Sequence, residues 1–382
     1  MAAQVTPVFL RDISWIRGAL QTAVALEHST MPLYCAAMYS LEVQNYPSYN
    51  TIRSVLMEEM VHMAIAANMV AALGGTPRIA TLDPAYATRG LPGGVAPDLP
   101  VILAQLSPRS LENFMRLEAP DYLLDSRQRA AVYPTIGAFY DAIREAIDNH
   151  KDALRRAVEQ GGPANQIGGN LGYLTFEPAE GADPVEKFHA GLDLITEQGE
   201  GRGTGTVEAG EDFQREGSHY ARFAELRYGR RYLAPEEGIG ITRENEAAFF
   251  QGEEIVWPVV INTLAVPSDG YAAVLAEDPD AAEVRKELAR FDDAYTEMMA
   301  CLDRAWNGPA ETWWPSLGAA VTQMDQMRVR SCFTIMRHRV PAQVIGRLEE
   351  LYPRQYKALA RYTELSRPVF YGPRFINNNG VR

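Results

Sequence analysis

One apolar segment of this chain carries acidic and imidazole side chains at its centre. It reads IRSVLMEEMVHMAIAANMVAALGG over residues 52–75, where Glu58, Glu59 and His62 interrupt an otherwise apolar helical pattern. An isolated buried carboxylate is very costly, so a protein normally neutralises it, pairs it or binds it to a metal ion. The segment therefore predicts a buried helix with a polar site at its centre, and a metal ion is one partner that would satisfy that site.

Helical spacing places His62 on one face with both glutamates. Glu59 lies three residues before His62 and Glu58 lies four before it, so the spacing alone does not choose between them. Glu27, in AVALEHSTMP, interrupts the apolar stripe of the preceding helix pattern in the same way. A bond to a nearby Arg, Ser or Thr would explain any one such residue. Two adjacent helices with misplaced acids favour a shared site.

A matching set of residues follows later in the chain. Glu197 and Glu200 lie three apart in ITEQGEG, and a second Glu-x-x-His follows in REGSHYARF. The di-iron carboxylate template takes a Glu from each of two helices and a Glu-x-x-His from each of the other two. The order in this chain predicts metal ligands at Glu27, Glu59, His62, Glu197 or Glu200, and His219, with Glu216 also suggested by its spacing.

Glu118 is a further candidate ligand, because it ends the apolar helix pattern FMRLEAP just before Pro120. Carboxylates combined with imidazole favour iron, manganese or zinc over the sulfur-preferring metals. An acid-rich set of ligands also suits the redox metals. We therefore expect two iron ions, with manganese or zinc as alternatives.

The other helical patterns predict a mainly α protein, without repeats and without alternating strands and helices. Segments 76–108 and 161–183 are rich in Pro and Gly and have no helical period, so we expect them to form long loops. Residues 10–228 are expected to form a metal-binding helical bundle that contains both loops as insertions. Residues 229–382 are expected to add loops and C-terminal helices that pack on the bundle within one continuous domain.

The composition limits the partners and the location of the protein. The 382 residues carry a net charge of −13, with a pI of about 5.1. This acidic balance argues against binding a nucleic-acid backbone or an anionic membrane surface. The three cysteines are far apart, and the N-terminal segment lacks the pattern of a signal peptide. No segment reaches the uninterrupted apolar length of a membrane helix, so a reducing, cytoplasmic location is expected.

Several longer blocks of sequence resemble a known family. The blocks are ALEHSTMPLYCAAMYSL, IRSVLMEEMVHMAIAANMVAALGGTPRI, FMRLEAP, ITEQGEG, SHYARFAEL and WNGPAETWWPSLGAAVTQMDQM. Across residues 12–340 the chain is similar to the ferritin-like domain family related to the C-terminal domain of the violacein-pathway iminophenylpyruvate dimer synthase. The resemblance implies a ferritin-like four-helix bundle, elaborated with long loops and additional C-terminal helices.

The resemblance also implies which residues bind the metal. Its register selects Glu59 over Glu58. Glu197 belongs to the same block as Glu200, whereas Glu216 matches no position of the family pattern, and the segment after residue 340 departs from that pattern. The ligand roles implied by the family fall on Glu27, Glu59, His62, Glu200 and His219.

These observations predict a non-haem di-iron, or iron–manganese, oxidase or oxygenase. Members of the family commonly belong to bacterial secondary metabolism, which implies a small metabolite, such as one derived from an amino acid, as the substrate. The expected partners are this substrate and O₂, with an electron donor as a further candidate. Three alternatives stay open: a non-redox zinc or manganese enzyme, a metal storage protein, and a structural bundle whose acids pair with Arg53, Arg116 or Arg222. The long loops exceed what metal storage requires.

Overall fold

Helices account for nearly all the regular structure of this chain. The computed structural model describes residues 10–43, 46–83, 86–161, 164–168, 174–178, 180–200, 217–233, 242 and 244–380, with only the backbone given for Glu200. Within these ranges the chain forms thirteen α-helices and one two-stranded hairpin. The expectation of a mainly α protein is therefore confirmed.

The elements are numbered in chain order. The strands are β1 Thr88–Leu91 and β2 Val95–Val101, which pair antiparallel between α2 and α3. The helices are α1 Ile13–Tyr39, α2 Pro47–Ala72, α3 Pro108–Leu117, α4 Ile136–Asn149, α5 Lys151–Gln160, α6 Pro184–Glu200, α7 His219–Tyr228, α8 Ala272–Glu277, α9 Ala281–Asn307, α10 Trp313–Phe333, α11 Ala342–Gly346, α12 Leu348–Leu351 and α13 Tyr356–Tyr362.

The first two helices pack against each other in opposite directions. α1 begins where the side chain of Asp12 accepts a hydrogen bond from the backbone N–H of Trp15 at 3.0 Å. Near that start, Arg17 donates to the carbonyl oxygen of Leu73, from Nε at 3.1 Å and from Nη2 at 2.5 Å. Leu73 caps the C-terminal end of α2, where a cation also meets the negative end of the helix dipole. One arginine therefore fixes this end of the helix pair.

α2 lies at the centre of the helical assembly, because it packs against α1, α6 and α7. α4 packs against both α1 and α6, and α3 packs against α7. α6 approaches α2 closely at Gly191, where an added Cβ would lie 2.5 Å from Cε of Met69. Side chains in the middle of α2 therefore face three other helices instead of solvent.

By length and composition, α2 is the one helix in the described part of the chain that could cross a membrane. Glu58 and Glu59 interrupt its apolar run, so the expectation about an uninterrupted apolar length stays a prediction. In addition, 78% of the most apolar window of α2 is buried inside the protein, and core helices of globular proteins pass the same test. Burial on several sides explains an apolar composition that continues around the helix.

Residues 76–108 contain a β-hairpin where only a long loop was expected. Gly93 and Gly94 form its turn, each with a φ of 75° that glycine adopts without strain. Pro97 and Pro100 lie within β2 and conceal the usual strand pattern. Both strands of a two-stranded ribbon are edge strands, so they tolerate proline. Of the second expected loop, the described residues 164–168 and 174–178 form no regular element.

The C-terminal half contacts the N-terminal helices through specific polar groups. α9 and α10 pack against each other as a helical hairpin. The indole N–H of Trp306 in α9 donates to Oδ1 of Asn68 in α2 at 2.9 Å. Oδ1 of Asp303 accepts bonds from the backbone N–H groups of Ile79 and Ala80, each at 3.0 Å. These bonds join α9 to α2 and to the connection that follows it.

The last described residues return to the same connection. Nε of Arg374 donates to Oδ2 of buried Asp292 in α9 at 2.8 Å. Nδ2 of Asn377 donates to the carbonyl oxygens of Ala80 and Leu82 at 2.9 and 2.8 Å. Residues 374–380 therefore form a C-terminal strap that links α9 to the segment after α2.

Asn68 is a fully buried amide whose hydrogen bonds join three parts of the chain. Its Nδ2 donates to the carbonyl oxygens of Ile167 at 3.0 Å and Leu174 at 2.9 Å. Its Oδ1 accepts from the backbone N–H of Ile167 and from the indole of Trp306, both at 2.9 Å. The bonding capacity of this amide is therefore fully used.

We predict that Asn68→Ala lowers the free energy of unfolding by about 2 to 4 kcal/mol, because it leaves several buried donors and acceptors without partners. Urea denaturation followed by circular dichroism measures this change. Asn50, exposed on the same helix, provides the control, since Asn50→Ala should change stability by less than about 0.5 kcal/mol. Equal effects of the two substitutions would contradict the prediction.

Candidate metal centre

Three buried side chains from two helices form the centre of the site. Glu59 and His62 come from the middle of α2, and His219 is the first residue of α7. Each offers one ligand atom, and these atoms all lie within 4.8 Å of one another. This group could therefore bind a metal ion.

Glu59 faces both histidines with different oxygens. Its Oε1 lies 2.8 Å from Nδ1 of His219, and its Oε2 lies 3.9 Å from Nδ1 of His62. Glu59 precedes His62 by three residues, so one turn of α2 presents both groups on the same face. The close packing of α7 on α2 brings His219 to the other side of the carboxylate.

Two further buried carboxylates extend the group in opposite directions. Oε2 of Glu27, from α1, lies 3.9 Å from Nδ1 of His62. Oε2 of Glu118, the residue that caps the C-terminal end of α3, lies 3.7 Å from Nδ1 of His219. All five side chains are almost completely buried, with exposed fractions of 0–2%. Glu118 was left open by the sequence, and the structure places it beside the histidine of α7.

The distances and the unsatisfied groups fit a metal ion. Bonds from a metal to nitrogen or oxygen of about 2.0–2.2 Å allow two ligands of the same ion to lie up to about 4.4 Å apart. The nitrogen–oxygen distances in this group are 2.8, 3.7, 3.9 and 3.9 Å. Among the described residues, Nδ1 of His219 has no hydrogen-bond partner, although Oε1 of Glu59 lies 2.8 Å away. A buried nitrogen directed at carboxylates without bonding to them is a good metal ligand.

The outward nitrogen of each histidine has its own partner. Nε2 of His62 lies 2.8 Å from Oε1 of Gln198 in α6, and Nε2 of His219 lies 2.9 Å from Oε2 of Glu58. A proton on each Nε2 satisfies both contacts and leaves each Nδ1 free to bind metal. Both rings therefore present the same nitrogen to the centre.

Glu58 lies behind His219 instead of among the inner carboxylates. Arg222 of α7 pairs with this carboxylate and donates from Nη1 to Oγ of Ser54 at 3.0 Å. Burial would raise the pKa of Glu58, but the hydrogen bonds from His219 and Arg222 outweigh it and lower the pKa to about 2. The structure thus gives the two adjacent glutamates of α2 different surroundings, with Glu59 facing the centre and Glu58 orienting a histidine.

Burial and mutual charge set the pKa values of the inner groups. Burial, followed by the charge of Glu59, raises the pKa of Glu27 well above its usual range. Burial alone would raise the pKa of Glu59 and lower that of His219. Their mutual attraction outweighs burial in both cases, so the pKa of Glu59 is lowered and that of His219 is raised well above its usual value. A metal ion would therefore displace protons from Glu27 and His219.

The other predicted ligands lie in different places. Glu197 is exposed on α6, and the structure does not bring it into the buried group. The side chain of Glu200 and the whole of Glu216 lie outside the described residues. α6 nevertheless reaches the site through Gln198 and through Gly199, where an added Cβ would lie 3.6 Å from Oε2 of Glu118.

Comparisons with known proteins point to a family for this helical arrangement. The family model described as ferritin-like matches residues 20–228, a range that contains all five buried side chains. Among solved structures, the chain is similar to a ferritin-like protein from Caulobacter vibrioides, with 20% sequence identity and a TM-score of 0.53. That match covers 83% of this chain and 93% of the other protein, and at this identity it concerns the fold alone. A comparison with the curated proteins finds no match.

We predict that Glu59→Gln weakens Zn²⁺ binding by more than about 100-fold, beyond the usual effect of losing an outer hydrogen-bond partner of a ligand. Isothermal titration calorimetry with Zn²⁺, which is redox-silent, measures the affinity. Glu197→Gln on the exposed side of α6 is the control and should bind like the unmodified chain. The same titration of Glu200→Gln tests the other predicted ligand of that helix. Unchanged affinity in Glu59→Gln would remove this residue from the ligand set.

We also predict that Zn²⁺ binding releases protons and tightens as pH rises. The raised pKa values of Glu27 and His219 favour the protonated form of both groups, and a ligand must lose its proton to bind metal. Titrations in buffers of different ionisation enthalpy count the released protons. Binding heats that are independent of the buffer, with an affinity that is independent of pH between 6 and 8, would show that the ligands are already deprotonated.

Proposed function

Because this chain belongs to the ferritin-like family, we propose that its buried glutamates and histidines hold two metal ions in a non-haem oxidase or oxygenase. Membership in the family confirms the expected mainly helical ferritin-like fold, with additional helices after the matched segment. The buried Glu/His cluster lies inside that segment. The proposed metals are two irons, or one iron and one manganese.

The observation that carries this proposal is the position of Glu59 between two histidines. Its two oxygens face different rings, and each ring also faces a second carboxylate. We call Glu27 with His62 half-site A, and Glu118 with His219 half-site B. Each half-site offers one carboxylate and one imidazole nitrogen, and Glu59 is shared between them. This arrangement would hold two ions, one at each half-site, with three of the four glutamates and both histidines of the di-iron carboxylate template.

The chemistry of the donors favours redox metals. Three carboxylates offset most of the charge of two divalent ions, and together with imidazole they suit iron and manganese. A pair of such ions would supply the electron transfer to dioxygen, which the side chains of this chain do not perform. Zinc would accept the same donors, and with zinc the site would support hydrolysis or isomerisation.

The ligands and the residues that contact them have separate roles in the proposed reaction. The low exposure of the five ligands excludes bulk water from the centre. Gln198 and Glu58 hold the histidine rings with Nδ1 inward. Arg222 pairs with Glu58 behind half-site B and compensates the charge of that carboxylate. The side chain of Glu58 is 26% exposed. Glu58 therefore connects the buried ring of His219 with the protein surface.

The proposed substrate is a small organic metabolite, such as one derived from an amino acid. The resemblance of its motifs to the family related to the C-terminal domain of the violacein-pathway iminophenylpyruvate dimer synthase supports a role in a bacterial biosynthetic pathway. O₂ and an electron donor are the other proposed partners, and nucleic acids and membranes are not among them. The net charge of −13 argues against nucleic acid as a partner. The three buried cysteines form no disulfide, which supports a cytoplasmic location.

The test is to load the purified chain with ferrous iron without oxygen, remove the excess and measure iron per chain. We expect about two irons per chain, and about one in Glu27→Gln or in Glu118→Gln, because each removes the carboxylate of one half-site. An oxygen electrode then measures O₂ uptake with the proteinogenic amino acids as probes. Glu197→Gln serves as the control and should keep the iron content and O₂ uptake of the unmodified chain.

Other results would favour other functions. One zinc per chain, with no O₂ uptake after iron loading, would favour a non-redox metal enzyme. Iron in large excess over two ions per chain would favour storage. A chain that binds no metal would mean that the buried acids and histidines stabilise the bundle only.

A further inference from the structure

We propose that Tyr34 and Tyr140 are paired positioning residues, each of which holds the outer oxygen of one glutamate so that this glutamate binds metal through its other oxygen. Tyr140 acts on Glu27 in half-site A, and Tyr34 acts on Glu118 in half-site B. The inference rests on the proposed two-metal site.

In half-site A, the two oxygens of Glu27 have different neighbours. Its Oε1 accepts a hydrogen bond from the hydroxyl of Tyr140 in α4. Its Oε2 faces Nδ1 of His62 at 3.9 Å. Tyr140 has an exposed fraction of only 1%, so its hydroxyl needs a partner inside the protein. One oxygen of Glu27 is thus engaged by a neutral donor, and the other is directed into the site.

Half-site B repeats this arrangement with residues from other helices. Oε1 of Glu118 accepts a hydrogen bond from the hydroxyl of Tyr34, and Oε2 faces Nδ1 of His219 at 3.7 Å. Tyr34 is fully buried. Its ring packs edge-on against Phe114 and at a tilt against Phe223, with centroids 4.9 Å away in both cases. The aromatic rings of α3 and α7 therefore fix the direction in which this hydroxyl points.

The spacing of α1 connects the two half-sites. Tyr34 follows Glu27 by seven residues, which is close to two turns, so both lie on nearly the same face of the helix. Nevertheless, Tyr34 bonds the carboxylate of half-site B while Glu27 belongs to half-site A. One face of α1 thus supplies a ligand to one ion and a positioning hydroxyl to the other.

A carboxylate with one oxygen engaged by a hydroxyl has a reduced tendency to chelate a metal through both oxygens. Binding through one oxygen leaves a coordination position for another ligand at each ion. Without the hydroxyl, the outer oxygen loses this donor and the carboxylate rotates more freely. Loss of such an outer partner typically costs about 10- to 100-fold in metal affinity.

The experiment compares Tyr34→Phe, Tyr140→Phe and the double variant with the unmodified chain. Each substitution removes one hydroxyl and keeps the ring. Zn²⁺ calorimetry should show an affinity loss of about 10-fold or more for one of two ions in each single variant, and for both ions in the double variant. With Co²⁺ as the probe, visible absorption should weaken as the freed carboxylate oxygen raises the coordination number.

Tyr271 provides the matched control. It is fully buried and donates to the carbonyl oxygen of Leu264 at 2.7 Å, in a part of the chain that contributes no residue to the metal site. Tyr271→Phe should lower the melting temperature while keeping Zn²⁺ affinity and the Co²⁺ spectrum unchanged. If the two tyrosines position metal ligands, their substitution changes the Zn²⁺ affinity and the Co²⁺ spectrum. If their role is merely structural, their substitution changes only the melting temperature.

Three results would overturn the inference. The first is an unchanged Zn²⁺ affinity and Co²⁺ spectrum in both tyrosine variants. The second is an equal loss of both ions in each single variant, which would contradict the assignment of one tyrosine to each half-site. The third is tighter binding of Zn²⁺ in either tyrosine variant than in the unmodified chain. If the unmodified chain bound no metal, the proposed function would fail first, so the two failures are distinguishable.

Discussion

The structure depends on the burial of one carboxylate in the middle of its central helix. Placing Glu59 in a region of low dielectric is unfavourable unless nearby groups compensate its charge. Among its neighbours, His219 supplies the largest compensating charge. The ring of His219 contacts Glu58, which in turn pairs with Arg222. The helices around α2 supply the other groups of this arrangement. α7 brings a histidine, α6 brings Gln198, and α1 and α3 bring the flanking acids.

This organisation explains which parts of the site the sequence could predict. Glu27, Glu59 and His62 were visible because each interrupts an apolar helical pattern, and His219 was visible through the spacing of a second Glu-x-x-His motif. The choice between Glu58 and Glu59 needed the resemblance, since both lie on the face of His62. Tyr140 gave no signal, because a tyrosine among Phe139 and Ile143 looks like any core aromatic. Its function depends on a contact with α1, which is more than 100 positions away in sequence.

The fold was predictable to a similar degree. Helical periodicity predicted the long helices, because their buried faces repeat at a local spacing. The β-hairpin was missed because three prolines and three glycines within residues 88–101 hide the alternation of its short strands. The helical pattern TIGAFYDAIREAIDNHKDALRRAV of residues 135–158 is divided at His150, whose backbone leaves the helical region between α4 and α5. Such interruptions depend on tertiary packing, which no short window of sequence contains.

Residues of the C-terminal half form hydrogen bonds with buried groups of the segment that matches the ferritin-like family model. Asn68 lies on the same helix as the metal ligands, yet one of its bonds comes from Trp306. Asp303 and Asn377 likewise satisfy backbone groups just after α2. Residues 20–228 taken alone would therefore carry exposed apolar surface and unpaired buried polar groups. The segments beyond the ferritin-like segment thus complete some of its buried hydrogen bonds and pack against part of its surface.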